Sequence, residues 1–282
     1  MSRVLPLVGR TAAAAATLVV VGWLVGLLLP PEPVAEDAMG PVSTTGLLFV
    51  SAVLLVAPLW YPIARSHLRG WPLLGVVFLA VFGLTTVLTQ VESAIFLDVT
   101  PTELWVGVLR LTITAAAASC LAVAVYPQRP AQQLGPPEGA NPPSTASWVR
   151  RWIGVALAYT VLYIVAGLLI LPIIRSWYET QSLTGTNPAI VFPLQIARGA
   201  LFVAFLIPLV RSMRVTRRQA AAAMAVMIPL VHGVALLVVP NPFMPDYVRY
   251  AHMLEIGWSN FVLGLLIGFL FWNPPASGPR LP

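Results

Sequence analysis

The sequence predicts an all-α polytopic membrane protein with eight transmembrane helices, built as two parallel four-helix repeats with both termini in the cytoplasm. Of the 282 residues, 58% are hydrophobic and only 9% are charged, whereas about a quarter of the residues in soluble domains are charged. Eight apolar runs are long enough to cross about 30 Å of hydrocarbon. Arginines also concentrate in alternate loops, as expected for a chain that weaves through a bilayer.

The apolar runs define the predicted spans, and they lack the two-residue alternation that is typical of membrane β-barrels. In chain order they are residues 11–30, 43–64, 71–96, 102–126, 152–174, 189–210, 219–240 and 250–272. The first run has about twenty residues, which is long for the apolar part of a signal peptide, so we expect a retained helix.

Charge sets the predicted orientation. The chain has 16 basic residues, and all of them are arginine. Twelve flank the spans on one side: Arg3, Arg10, Arg65, Arg69, Arg129, Arg150, Arg151, Arg211, Arg214, Arg217, Arg218 and Arg280. Because positive residues accumulate on the cytoplasmic side, we expect a multi-pass protein of the plasma (inner) membrane with both termini inside.

A proline-rich segment at 127–147 is nearly free of large apolar residues, which predicts a flexible cytoplasmic linker. It separates a first four-helix repeat (1–126) from a second (148–273), and a cytoplasmic tail (274–282) follows.

Short matches between the two halves predict the internal repeat. Gly26-Leu-Leu aligns with Gly167-Leu-Leu, Phe82-Gly83 with His232-Gly233, and Pro101 with Pro245. Four spans are an even number, so both copies would have the same orientation in the membrane.

Ionisable residues inside the spans indicate a functional site, because they are costly in hydrocarbon. Counting about 1.5 Å per residue places Arg110, Arg198 and His232 at about 12 Å below the outer surface, with Glu92 and Glu255 slightly shallower. The five groups are therefore expected in one layer of the outer leaflet, around a polar pocket that opens outward.

The start of span 8 carries the densest polar pattern. His252, Glu255 and Ser259 are spaced i, i+3 and i+7, which places them on one helix face, and Asn260 follows. The candidate acid–base residues are His232, His252 and Glu255. The candidate binding residues are Glu92, Arg110, Gln195, Arg198, Ser259 and Asn260.

Three interpretations of this pocket remain open. Two arginines could clamp an anionic small molecule or lipid headgroup for outer-leaflet modification, sensing or transport, because the guanidinium fork matches oxyanions. Arg110 and Arg198 could instead pair with Glu92 and Glu255 in a network that only packs helices. Alternatively, His232 and His252 with the glutamates could hold a metal ion or a haem. No metal ligand is assigned, and the cofactor stays unknown.

Other residues exclude several classes of protein. The absence of lysine excludes Schiff-base cofactors such as retinal and pyridoxal phosphate. One cysteine, Cys120, cannot form an intrachain disulfide. Scattered arginines argue against nucleic-acid binding and leave membrane lipids as the expected partners. Nucleotide-binding and standard hydrolase motifs are absent, so an enzymatic role stays undecided. Aromatic residues near helix ends, including Trp177, Tyr178 and Tyr247, are expected in interfacial belts.

Overall fold

A computed structural model of the chain describes residues 4–30, 41–97, 99–128, 144–180, 187–241 and 244–272. Within these ranges it is helical, without a β-strand, and eight helices are long and apolar enough to cross a membrane. The predicted number of spans is therefore confirmed.

Three of the spans consist of several consecutive helical segments. Span 1 is α1 (Val4–Leu28); span 2 is α2 (Pro41–Val56), a 3-10 turn (Ala57–Leu59) and α3 (Trp60–Arg65); span 3 is α4 (Gly70–Phe82), a π-helical segment (Gly83–Val87) and α5 (Leu88–Phe96); span 4 is α6 (Pro101–Val125). Span 5 is α7 (Thr145–Thr180); span 6 is α8 (Pro188–Ser212); span 7 is α9 (Arg217–Ile228), a second π-helical segment (Pro229–Val234) and α10 (Ala235–Leu237); span 8 is α11 (Asp246–Leu270).

Capping boxes fix the starts of spans 4 and 7. The Thr100 hydroxyl accepts a hydrogen bond from the Glu103 backbone N–H, and the Glu103 carboxylate accepts one from the Thr100 N–H at 2.7 Å. Thr216 and Gln219 repeat the arrangement at the start of span 7. Each box satisfies backbone donors that a helix start otherwise leaves unpaired.

Span 5 is much longer than predicted. Helix α7 contains 36 residues, about 54 Å at 1.5 Å per residue, which exceeds the hydrocarbon thickness. Its extra turns carry Arg150 and Arg151 at one end and Arg175 and Glu179 at the other, so the apolar signal stops before the helix does. The helix also starts inside the predicted linker, whose residues 129–143 lie outside the described part of the chain, as does the predicted tail.

Helix contacts in the two halves have matching partners. In the first half, span 1 packs on spans 2 and 4, and span 3 packs on span 4; in the second half, span 5 packs on spans 6 and 8, and span 7 packs on span 8. Between the halves, span 2 packs on span 7 and span 6 on span 3, while spans 3 and 7 meet at their π-helical segments. Spans 2, 3, 6 and 7 therefore form the centre of the bundle.

The loops after spans 2 and 6 also pair with each other. The His67 backbone N–H donates to the Ser212 carbonyl at 2.9 Å, and the Arg214 N–H donates to the Arg65 carbonyl at 2.7 Å. These reciprocal bonds enclose an antiparallel bridge between Ser66 and Met213. The two halves are thus joined on the side of the bundle that is predicted to be cytoplasmic.

Two glycines allow spans 7 and 8 to approach closely. A Cβ atom added to Gly264 would lie 2.6 Å from the Ala225 Cα, and one added to Gly268 would lie 2.6 Å from the Ala221 Cα. Small residues four positions apart on facing helices are a common way for membrane helices to pack backbone against backbone. This contact holds span 8, which carries His252 and Glu255, in place.

Candidate functional site

A cavity of about 150 Å³ lies in the half of the bundle where spans 3, 5 and 7 end and spans 6 and 8 begin. It is lined by seven of the nine predicted site residues: Glu92, Arg198, His232, His252, Glu255, Ser259 and Asn260. Four spans therefore bring ionisable side chains to one cavity. The two remaining candidates are Gln195, which lies directly behind it, and Arg110, which lies elsewhere.

Arg198 and Glu92 form a bidentate ion pair between spans 6 and 3. Arg198 Nη1 lies 3.1 Å from Glu92 Oε1, and Nη2 lies 2.8 Å from Oε2. Gln195 Oε1 accepts a further hydrogen bond from Nη1 at 3.0 Å. The guanidinium is buried whereas Glu92 is 33% exposed, so the carboxylate faces the cavity and the arginine supports it from behind.

His232 joins the two π-helical segments at the cavity. Its Nδ1 lies 2.7 Å from the Leu84 carbonyl oxygen, which can only accept, so Nδ1 carries the proton and a neutral ring has Nε2 free as an acceptor. Leu84 belongs to the segment Gly83–Val87 and His232 to the segment Pro229–Val234. π-Helical turns of this kind interrupt the regular backbone pattern and occur frequently at functional sites.

His252 and Glu255 form a second pair on one face of span 8. The His252 Nδ1 lies 2.6 Å from Glu255 Oε2. A carboxylate that accepts from Nδ1 orients the imidazole and strengthens Nε2 as a proton acceptor. The Ser259 hydroxyl donates to the Glu255 carbonyl at 2.6 Å, one turn further along. The spacing expected from the sequence therefore does place these three residues on one face.

Asn260 supplies a buried polar group without a protein partner. Its side chain is 3% exposed and lines the cavity. Among the described residues, no hydrogen-bond partner reaches its Oδ1 atom. A buried acceptor left in this state costs free energy unless water or a ligand meets it.

Arg110 does not contribute to this cavity, which corrects the expectation of two arginines in one site. Its Nη2 donates to the Pro30 carbonyl at 2.9 Å, and it lines a different cavity, of about 380 Å³, between spans 1, 2 and 4. Depth along a helix is readable from the sequence, but the direction in which a helix face points depends on its neighbours. Arg110 therefore lies on a helix that does not border the cavity of Glu92 and Arg198.

Aromatic side chains from span 5 form much of the cavity wall, and sequence reasoning missed them. Tyr159, Tyr163, Trp177 and Tyr178 all line it. Trp177 and Tyr178 were expected in an interfacial belt; the structure assigns them to the cavity instead. The available signal was periodicity, since residues 159 and 177 are 18 positions, or five helical turns, apart and share a face.

Arg249 is the second residue that sequence reasoning missed. It is fully buried at the start of span 8 and pairs with Asp246 at 2.6 Å. Its Nη1 donates to the Leu237 and Val238 carbonyls at 2.7 and 2.9 Å. These carbonyls end span 7, so Arg249 caps one helix and ties it to the next. The i, i+3 spacing of Asp246 and Arg249 was the signal in the sequence.

The alternative of a metal site built from histidines and glutamates finds no support among the described residues. Within the described ranges, no three His, Cys, Asp or Glu side chains are placed so that they could hold one metal ion. Each histidine uses its Nδ1 in a hydrogen bond to a different partner, Leu84 for His232 and Glu255 for His252.

The described residues thus form an α-helical bundle with eight helices suited to crossing a membrane and with a cavity lined by charged and aromatic side chains. No family model matches the chain, and neither a curated protein nor a solved structure resembles it at a significant level. Its function must therefore be argued from the site itself.

Proposed function

We propose that this chain binds a small polar molecule or a lipid headgroup in the intramembrane cavity. The observation that carries the proposal is the convergence of Glu92, Arg198, His232, His252 and Glu255 on one cavity. Ionisable groups inside membrane spans are expensive and are typically kept for binding or proton transfer. The Asn260 Oδ1 atom, to which no described residue donates a hydrogen bond, adds an acceptor that a ligand can satisfy.

The oriented histidine gives the site a proton acceptor as well as binding groups. A carboxylate–imidazole pair such as Glu255 and His252 is the arrangement that activates a base in many enzymes. The same pair can take up a proton during transport or sensing. Modification of a ligand, its transport and its detection would all begin with binding in this cavity.

The Arg198 ion pair favours a second candidate, a protein whose buried charges only pack helices. The bidentate contact with Glu92 and the bond to Gln195 satisfy both Nη atoms of the guanidinium. That network alone would explain why spans 3 and 6 carry charged residues where they pack on each other. It does not explain the cavity beside it or the pair on span 8, so ligand binding accounts for more of the structure.

Helix packing supports the proposed origin of the bundle from two four-span repeats. Each contact of the first half has a counterpart in the second, and both third spans contain a π-helical segment. Helices α6 and α11 both have 25 residues. Aligning their first residues, Pro101 with Asp246, shifts the match predicted from the sequence by one position and makes Arg110 equivalent to Glu255 and Thr114 equivalent to Ser259. Thr114 donates to the Arg110 carbonyl as Ser259 does to that of Glu255.

The arginine distribution supports a cavity on the outer side of the plasma membrane, with both termini inside. The cavity lies at the end of the bundle opposite the loops that follow spans 2 and 6, where Arg65, Arg69, Arg211 and Arg214 are located. A ligand would then reach it from the outer leaflet or the external solution.

Single-cysteine labelling is expected to report this orientation. In a Cys120→Ser background, Thr180→Cys should react with a membrane-impermeant maleimide on intact cells, and Ser144→Cys should react only after permeabilisation. Both positions are exposed and lie at opposite ends of span 5, so each serves as the control for the other. The reverse labelling pattern would place the cavity on the cytoplasmic side.

Mass spectrometry of protein purified in mild detergent is expected to find a stoichiometric small molecule or lipid. Glu255→Gln should lose it, because the variant removes the carboxylate charge from the cavity and weakens the contact that orients His252. Glu179→Gln is a matched control, since Glu179 is 69% exposed and outside the cavity. Equal occupancy in all three proteins would mean that the molecule binds outside this cavity, and a bound molecule in none of them would favour the helix-packing role.

A further inference from the structure

The cavity is lined by one arginine and two glutamates, not by the two arginines expected from the sequence. Among the described lining residues, the fixed charges are the carboxylates of Glu92 and Glu255 and the guanidinium of Arg198. Both Nη atoms of Arg198 are already bound to Glu92, whereas its buried Nε atom has no hydrogen-bond partner among the described residues. The charge of this arginine is therefore already matched by Glu92, and an anion would have to compete with that carboxylate for the two Nη atoms of the guanidinium.

The remaining carboxylate has a weaker partner. Glu255 is paired through Oε2 with His252, whose charge depends on its protonation, whereas Glu92 is paired with a permanent cation. Its Oε1 atom lies towards Gly167 of span 5, where the absence of a side chain leaves room. With a neutral imidazole, the cavity therefore carries one uncompensated negative charge, which attracts a cation.

The aromatic side chains of span 5 that line the cavity also favour a positively charged ligand. Tyr163, Trp177 and Tyr178 line the cavity from span 5, and Trp177 and Tyr178 lie side by side with ring centroids 5.3 Å apart. Aromatic rings attract cations through their negative faces, and groups of such rings beside an acid are a recurring means of binding ammonium ligands. Tyr159 already makes such a cation–π contact, because the Arg198 guanidinium carbon lies 5.7 Å from its ring centre.

The size of the cavity and its hydrogen-bond acceptors further restrict the class of ligand that fits. A volume of about 150 Å³ corresponds to roughly one benzene-sized group. Asn260 Oδ1, which has no hydrogen-bond partner among the described residues, and the Glu255 carboxylate are acceptors, and these match the N–H or polarised C–H groups of an ammonium ion.

On the basis of the proposed function, we infer that the cavity binds a small organic ammonium group, either as a free amine or as the headgroup of an amino-phospholipid. The negative charge of Glu255, the aromatic wall of span 5 and the acceptor on Asn260 together select it. An alcohol of the same shape lacks the charge, and phosphate has the opposite one.

Calorimetric titration of the detergent-solubilised full chain tests this inference with three probes: choline, its uncharged isostere 3,3-dimethylbutan-1-ol, and inorganic phosphate. We expect choline to bind at least about 10-fold more tightly than the isostere, the smallest gain expected of a charge-assisted contact. Glu255→Gln should weaken choline binding about 10- to 100-fold, and Glu179→Gln should leave it unchanged. Asn260→Leu should also weaken it, which provides a second variant should Glu255→Gln fold poorly.

The outcomes separate this inference from the proposed function. Equal affinity for choline and its isostere, or binding of phosphate alone, would overturn the ammonium class while leaving a ligand-binding cavity. Binding of none of the probes, with nothing co-purified, would overturn both. Choline that displaces a co-purified phosphatidylethanolamine identifies a lipid headgroup as the ligand, whereas choline binding to protein purified free of that lipid identifies a soluble amine. In nanodiscs made of phosphatidylglycerol alone, choline binding should persist.

Discussion

Replacing Glu92 with leucine is expected to destabilise the fold by about 3–5 kcal/mol, the usual cost of removing one partner from a buried ion pair. Arg198 is 2% exposed and would keep its charge without a counter-ion. Gln195 would be its one remaining hydrogen-bond partner among the described residues. Thermal unfolding in mild detergent, followed by loss of the monodisperse chromatographic peak, should show a drop of roughly 10 °C.

A second ion pair in the chain provides the control for that experiment. Arg175 and Glu179 lie one turn apart on span 5 with side chains 74% and 69% exposed, so Glu179→Leu should change the stability by less than about 1 kcal/mol. The double variant Glu92→Leu with Arg198→Leu should be more stable than Glu92→Leu alone, because no charge is left unpaired. Equal, small shifts for Glu92→Leu and Glu179→Leu would mean that Arg198 does not depend on Glu92.

The eight spans were predictable because crossing a bilayer imposes length and composition on every segment. The similar depth predicted for Glu92, Arg198 and His232 rests on the fixed rise of a helix per residue, and the three side chains do line one cavity. Length, composition and rise are properties of each segment alone. They do not depend on which helices become neighbours.

Arg110 shows where such reasoning stops. Counting residues gives it the same depth as Arg198, but its helix packs on spans 1 and 3 and does not line the cavity. When α6 and α11 are aligned at their first residues, Arg110 occupies in the first half the place that Glu255 occupies in the second. Equivalent residues of two repeats are expected at one depth and in two different cavities, so similar depth could not by itself establish a shared site.

The aromatic wall was missed for a different physical reason. Tryptophan and tyrosine near a helix end suit both a lipid interface and a binding cavity, because each needs an apolar body and a polar tip. Trp177 lies in the part of span 5 that extends beyond the predicted apolar run. Only the observed length of α7, which continues the face of Tyr159 and Tyr163 for five turns, distinguishes the two roles.

Replacing Gly264 with leucine is expected to be nearly as damaging as removing Glu92. The new Cβ would lie 2.6 Å from the Ala225 Cα. The atoms it meets belong to the backbone of span 7, so a change of side-chain rotamer cannot relieve the clash. Overpacking a core typically costs about 1–3 kcal/mol, and we expect the upper end here. Gly264→Ala should already be destabilising, because the clash begins at the Cβ atom.

Gly257, two turns earlier on span 8, is the matched control. A Cβ added there meets no atom within 4 Å. Leucine also favours a helix over glycine by up to about 1 kcal/mol. We therefore expect Gly257→Leu to be neutral or stabilising in the same thermal assay. Span 8 also carries His252 and Glu255, so separating it from span 7 in Gly264→Leu should reduce the co-purified ligand as well as the stability. A Gly264→Leu protein as stable as Gly257→Leu would show that spans 7 and 8 are not packed backbone against backbone.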